Sequence, residues 1–259
     1  MPSTYAHYRF GFRALPRLEP HATICIRRNR QMYDLGLHGP DFFFFYNPVV
    51  SNKIGKLGSQ IHQSTGRSFF TRAARLLRFE PSEAAESYIL GVLAHFTLDS
   101  RCHPFVNEMA GKAAGHVEME AEFDRYLLEL DGRREPHTQK IFRHIRLDSR
   151  EDAARIARFY PPATAGQVRT AIGNMSLFGN LLTTKSKVVR SIIGGGYLGN
   201  SINENLMMAT ANPRCKELTP QIMARYTQAE EAFPSMVTQF LDHLHHGCRL
   251  GEEFDVIFG

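Results

Sequence analysis

His95 and Asp99 stand four residues apart, and so do His116 and Glu120. On a helix that spacing puts both side chains of a pair on one face, one turn apart and aimed at a common point. Imidazole nitrogen and carboxylate oxygen are the donors that a borderline divalent ion such as zinc selects. His103 lies one further turn beyond Asp99. Each pair taken alone is also an ordinary pair of helix neighbours. Together they say more, because His95 and Asp99 interrupt the apolar run Ile89, Leu90, Val92, Leu93, Phe96 and Leu98, where unpaired polar groups are costly to bury. A divalent cation held between two such helices would compensate them.

The elements that must position these groups read as helices throughout. The pattern predicts an all-α, single-domain multi-helix bundle over residues 1–259, with the metal cluster between two central helices and all of its motifs in residues 1–125. The first central helix begins at Pro81, Ser82 and Glu83 with the expected N-terminal chemistry and should end near Pro104. The second enters through Gly111–Gly115, carries His116, Glu120 and Asp124, and stops at Asp131-Gly132. Before them come helices over Thr4–Leu18, His21–Leu35, Ser51–Gln63 and Arg67–Phe79, with His7 near the start of the first and His62 near the end of the third. Gly39, Pro40 and Pro48 put Asp41 on a loop beside five consecutive aromatics, Phe42 to Tyr46. Most of those rings must pack in the core, leaving one or two to rim an apolar cleft. After Gly132, helical segments are expected near Pro136–Arg146, Arg150–Tyr160, Thr164–Leu182, Glu204–Thr210, Thr219–Glu230 and Phe233–His245, without strand alternation or a repeat.

At 259 residues and 43% hydrophobic, the chain can bury a proper core, and a disordered chain is not expected. Its apolar runs fall short of the roughly 18 residues that span a bilayer. The N-terminal stretch lacks an apolar h-region, so a cytoplasmic location is expected. A net charge of +5 favours an anionic partner: a phosphate ester, a nucleic acid or an acidic lipid surface. The basic residues are spread along the chain and form no polybasic tail.

Three local signals point elsewhere and are set aside. Cys25, Cys102, Cys215 and Cys248 form no Cys-x-x-Cys pair and read as reduced structural thiols; Cys102 and His103 are adjacent and point apart on a helix. Gly194, Gly196 and Gly199 match a dinucleotide fingerprint without the alternating strands and helices that give it meaning, and read as an inter-helix loop. His243, His245 and His246 read as a helix C-terminus, where partial positive charge is favoured.

Taken in order, His7, Asp41, His62, His95, Asp99, His103, His116 and Glu120 carry a resemblance. With YAHYRFG, LGLHGPDFFFFY, GSQIH and the two spaced pairs, the first half of the chain resembles the zinc-dependent phospholipase C family. These are all-helical hydrolases related in fold to fungal single-strand nucleases. The resemblance implies two or three zinc ions. Asp41, His62, His95 and Asp99 would surround one; His103, His116 and Glu120 a second; His7 would join Asp99, as a bridge, at a third. It also implies Asp41 as the general base or water-orienting carboxylate. The secreted members complete the third site with an N-terminal tryptophan, and this chain has no tryptophan. The spacing from Asp99 to His103 is also shorter here than in the secreted members.

The function expected is therefore zinc-dependent phosphodiester hydrolysis by activated water, with a phospholipid headgroup as the leading substrate and transient contact with a membrane surface. The same site would serve a nuclease or a small-molecule phosphodiesterase, with nucleic acid the less favoured partner. A non-catalytic metal-binding scaffold is the rival from another class; it would close every coordination position.

Overall fold

The structure is a computed structural model that describes residues 4–48, 52–183 and 207–259. Among these residues it is all-helical, with no strand and two isolated bridges. Glycines 194, 196 and 199 lie outside the described residues.

The helices are α1 (Thr4–Ala14), α2 (Pro20–Arg28), α3 (Arg30–Gly36), α4 (Lys53–His62), α5 (Gly66–Phe79), α6 (Glu83–Met109), α7 (His116–Leu130), α8 (Arg150–Arg158), α9 (Ala165–Leu182) and α10 (Thr219–His246). Their starts follow local chemistry. Ser82 caps α6 by accepting from the Ala85 N–H, and Asn52, Thr65 and Ser149 do the same for α4, α5 and α8.

Helix α6 is the axis of the fold. From Tyr88 to Phe96 every residue is buried, polar ones included, and the helix packs most extensively against α3 and α10. It does not end at Pro104 as the sequence suggests, but runs on to Met109. Phe105 and Val106 continue its apolar face into the core, and that packing outweighs the hydrogen bond lost at proline.

Helix α10 corrects the expectation of two segments in the same way. It passes through Pro234 unbroken, and the Glu230 carbonyl that proline leaves without its helical donor accepts from Arg17 Nη1 at 2.9 Å. The expected helix His21–Leu35 is instead two, because Asn29 leaves helical conformation and the Ser87 hydroxyl takes its carbonyl at 3.0 Å.

Residues 136–146 are not a helix either. A short 3-10 turn at Pro136–Thr138 gives way to irregular chain that buries Phe142 and Ile145. The Phe142 ring lies against Gly179 of α9, where an added Cβ would stand 2.1 Å from Phe142 Cδ1. That tertiary contact wins over the helical periodicity of the segment. Residues 207–210, the described part of another expected helix, are irregular.

Helices α3 and α6 cross at Gly36 and Gly91, backbone on backbone: a Cβ on Gly36 would lie 2.1 Å from the Tyr88 carbonyl oxygen. This close approach carries the segment after α3 over the buried face of α6. Asp41 there begins a 3-10 helix, Asp41–Phe45, rather than an open loop. Phe42, Phe43 and Phe45 are buried, as expected of core rings, while Phe44 and Tyr46 are partly exposed.

Candidate metal centre

Four helices and the 3-10 turn bring the chemistry-bearing side chains to one place. Helix α6 supplies His95, Asp99 and His103 on successive turns, and α7 supplies His116 and Glu120. Helix α4 contributes His62 from its last turn. Gly39 holds a left-handed conformation (φ +46°) against His95, where a Cβ would lie 2.4 Å from the ring, and so brings Asp41 in close. Helix α1 is fastened by Asp124 of α7, whose carboxylate accepts the N–H groups of Tyr5 at 2.9 Å and Ala6 at 2.8 Å. The next residue, His7, is thereby turned inward and buried.

The structure brings all eight sequence-predicted residues together. One donor atom from each of His7, Asp41, His95 and Asp99 lies within 4.8 Å of the others, and the same holds for His103, His116 and Glu120. Asp99 is the centre. Its Oδ1 stands 3.0 Å from His7 Nε2 and 3.6 Å from His103 Nε2; its Oδ2 stands 3.1 Å from His95 Nε2 and 4.0 Å from His62 Nε2. His62 Nε2 is 3.1 Å from Asp41 Oδ1. His103 and His116 each place Nε2 at 3.3 Å from Glu120 Oε1.

Protonation shows what these distances mean. The Nδ1 of His62 lies 2.8 Å from the Gly58 carbonyl oxygen, which can only accept, so Nδ1 carries the hydrogen. In neutral His62 the Nε2 lone pair then faces the Asp41 carboxylate, and only a proton or a metal cation between them makes that contact favourable. His95 is more telling. Among the described residues neither of its ring nitrogens makes a hydrogen bond, although Asp99 Oδ2 is near, and the ring is completely buried. Burial holds its pKa down at about 4, so the ring stays neutral and one of its nitrogens keeps a lone pair free to bind an ion. Burial opposes charge on Asp41 and Asp99 too, yet the imidazoles around them hold both below the usual carboxylate range. Burial likewise works against a positive His103, but Asp99 and Glu120 beside it push it up to about 9. Zinc requires ionised carboxylates and neutral nitrogen donors around one buried point: His95 is already neutral, while His103 must first give up its proton.

Several contributors were not legible in the sequence. Asp124 acts on α1 from more than a hundred residues away. His38, three residues before Asp41, is buried and meets His144 with Nε2 to Nε2 at 2.6 Å. Burial, together with other positive groups nearby, holds both rings below the usual histidine range, His144 at about 3. The last residues also reach the site: Phe258 packs on Phe96 and faces the His95 ring, and the Gly259 N–H donates to the His62 carbonyl. The one aromatic of the Phe42–Tyr46 run that meets an imidazole of the centre is Phe44, 5.6 Å from the His62 ring.

His243, His245 and His246 end α10, as expected, before Gly247 in a left-handed conformation. His245 does have neighbours that the sequence concealed, His21 and Glu86, at the protein surface. The described cysteines are all unpaired, and burial pushes the Cys102 thiol far up, which leaves it inert. No described helix is long and apolar enough to cross a membrane.

Comparison with known proteins agrees with the donor set. No curated protein and no solved structure matches the chain. The family described as zinc dependent phospholipase C matches residues 6–164, more than half of the chain and every residue of the cluster. A buried cage of imidazoles and carboxylates, suited to zinc and spanned by that match, places the chain in the zinc dependent phospholipase C family.

Proposed function

We propose that the chain is a zinc-dependent phosphodiester hydrolase of phospholipase C type, acting on a phospholipid headgroup at a membrane surface. The observation that carries this reading is the pair of adjoining donor clusters, which meet where Asp99 of the first stands 3.6 Å from His103 of the second. Asp41, His62, His95 and Asp99 would hold one zinc, His103, His116 and Glu120 a second, and His7 with Asp99 a third. Bound zinc supplies Lewis acidity: it lowers the pKa of water to about 7 and neutralises charge on a phosphoryl group.

The chain's own residues do the rest. Asp41, ionised and 3.1 Å from His62, would accept the proton of an attacking water as it bonds to phosphorus; the P–O bond to the glycerol oxygen breaks, and that oxygen leaves with the bonding pair and takes a proton from solvent. Asp99 fixes the two clusters relative to each other, so the attacking and leaving oxygens meet preset charge. Phe44 offers an apolar edge beside His62 for the lipid side of the substrate. One buried hydrophobic cluster runs from Ala6 to Phe258, which supports reading the whole chain as one catalytic domain.

The test is metal analysis followed by assay. Protein purified without chelator should carry two or three zinc equivalents and should hydrolyse a chromogenic phosphodiester and phosphatidylcholine vesicles. Folded protein that takes up no zinc would sink the reading. A zinc-loaded protein that cleaves single-stranded DNA in preference to lipid would move it to the nuclease alternative.

A further inference from the structure

A cleft of about 320 Å³ lies between α1 and the irregular segment that follows α7. Tyr5, Tyr8, Arg133, Lys140, Arg143 and His144 are among its walls. Its charged lining is entirely cationic. Arg133, Lys140 and Arg143 are exposed, and among the described residues none has a carboxylate within 4.0 Å. Neighbouring arginines are different: Arg9, Arg30 and Arg125 are each paired with an acid. Asp131, which meets the cleft wall at Tyr5, is already taken by two Arg9 nitrogens, at 2.8 and 3.0 Å, and by the Tyr5 hydroxyl at 2.6 Å. Three like charges around one concavity repel one another, and an anion of matching size relieves that repulsion.

The cleft adjoins the reaction site in two ways. Ile141 lines both this cleft and the small cavity that contains Glu120. His144 in its wall contacts His38, which leads through Gly39 to Asp41. Ile141 is thus the shared wall past which a substrate with its phosphodiester at the metals would extend the rest of its headgroup toward the three cations. A choline headgroup is disfavoured there despite Tyr5 and Tyr8, because Arg133, Lys140 and Arg143 carry its own sign of charge.

We infer that this cleft is the headgroup subsite of the proposed phospholipase, and that it selects a headgroup bearing a phosphate monoester, held by Arg133, Lys140 and Arg143. The inference rests on the hydrolase reading above. The phosphate monoester is the shared chemistry, whether a membrane lipid or a soluble diester carries it.

The experiment uses the zinc-loaded full chain on phosphatidylcholine vesicles doped with phosphatidylinositol, phosphatidylinositol phosphate or phosphatidylglycerol, and on the soluble deacylated forms of the two inositol lipids. The expected result is a kcat/KM for the phosphorylated inositol lipid about tenfold above its unphosphorylated parent, the order of one or two charge-assisted hydrogen bonds. The double variant R133Q/R143Q should lose most of that ratio, with zinc content measured alongside to report that it has folded. The same ratio on the deacylated pair assigns recognition to the phosphate itself; a ratio seen on vesicles alone assigns it to the lipid form. Phosphatidylglycerol that speeds turnover as much as the phosphorylated lipid overturns the inference, because the cations would then sense surface charge only. So does a variant that keeps the full ratio. Where no diester at all is cleaved, the hydrolase reading fails by itself. Binding of an inositol bisphosphate to zinc-loaded wild type and variant then decides the cleft: equal affinity overturns it, and about tenfold weaker binding by the variant supports it.

Discussion

Asp99 reaches from the central helix to His7 on the first helix, Oδ1 to Nε2 at 3.0 Å, while its other oxygen stands 3.1 Å from His95 Nε2. One carboxylate thus faces imidazoles on separate helices, and no neutral side chain of the same shape can balance them. Asp99→Asn should cost more than one zinc equivalent and lower zinc affinity beyond the roughly 10- to 100-fold loss that follows when a group merely supporting a ligand is changed. Metal analysis and competition with a chelator of known affinity read both quantities. An Asp99→Asn protein with its full zinc complement would remove the carboxylate from the centre.

The anchor of α1 makes a separate prediction. Asp124 accepts two backbone N–H groups in a buried place, so Asp124→Ala leaves two donors without partners. Such a loss costs about 1–3 kcal/mol for each buried group left unsatisfied. The variant should unfold at lower urea and lose zinc from the site nearest His7 before the others. Asp124→Asn keeps an oxygen acceptor and should lie between it and wild type in both measurements.

Part of the site was legible because two of its pairs are local. His95 with Asp99, and His116 with Glu120, are neighbours by helical geometry wherever the helix runs. What periodicity cannot report is a partner far along the chain. Asp124 with Ala6, His38 with His144 and Phe142 beneath Gly179 are joined by tertiary packing alone. The prolines misled for the same reason: Pro104 and Pro234 do break isolated helices, but buried neighbours sustain α6, and Arg17 satisfies the carbonyl freed in α10. The cationic cleft was equally hidden, because Arg133, Lys140 and Arg143 look like scattered surface charge until the turn after α7 sets them around one concavity.

Protons compete with zinc at His103. Its pKa in the metal-free fold is raised to about 9 from an ordinary value of 6.5. A raised histidine stabilises the fold fully below its unfolded value, and that contribution is lost as pH rises through the folded one. Metal-free protein should therefore lose stability between about pH 6.5 and 9. Zinc affinity should move the other way, rising with pH across the same window, and uptake at pH 7 should release protons measurable with an indicator dye. His103→Gln should flatten both profiles. A zinc affinity that does not change over this range would mean that His103 gives up no proton on binding.

The glycine crossing tests whether the fold positions the site. A Cβ on Gly91 would meet the Tyr33 carbonyl oxygen at 2.3 Å and the Gly36 Cα at 2.8 Å. These are backbone atoms, so Gly91→Ala must push α3 away from α6, and overpacking of this kind typically costs about 1–3 kcal/mol. The displacement also reaches chemistry, since the chain leaving α3 carries Gly39 onto the His95 ring and Asp41 into the cluster. Gly91→Ala should therefore lower both the urea midpoint and zinc affinity. Gly173 in α9 provides the comparison: nothing lies within 4 Å of a Cβ added there. Gly173→Ala should leave zinc binding unchanged and raise stability by about 0.5–1 kcal/mol, the ordinary gain of alanine over glycine inside a helix. If Gly91→Ala binds zinc as tightly as Gly173→Ala, the crossing supports the fold without tuning the metal centre.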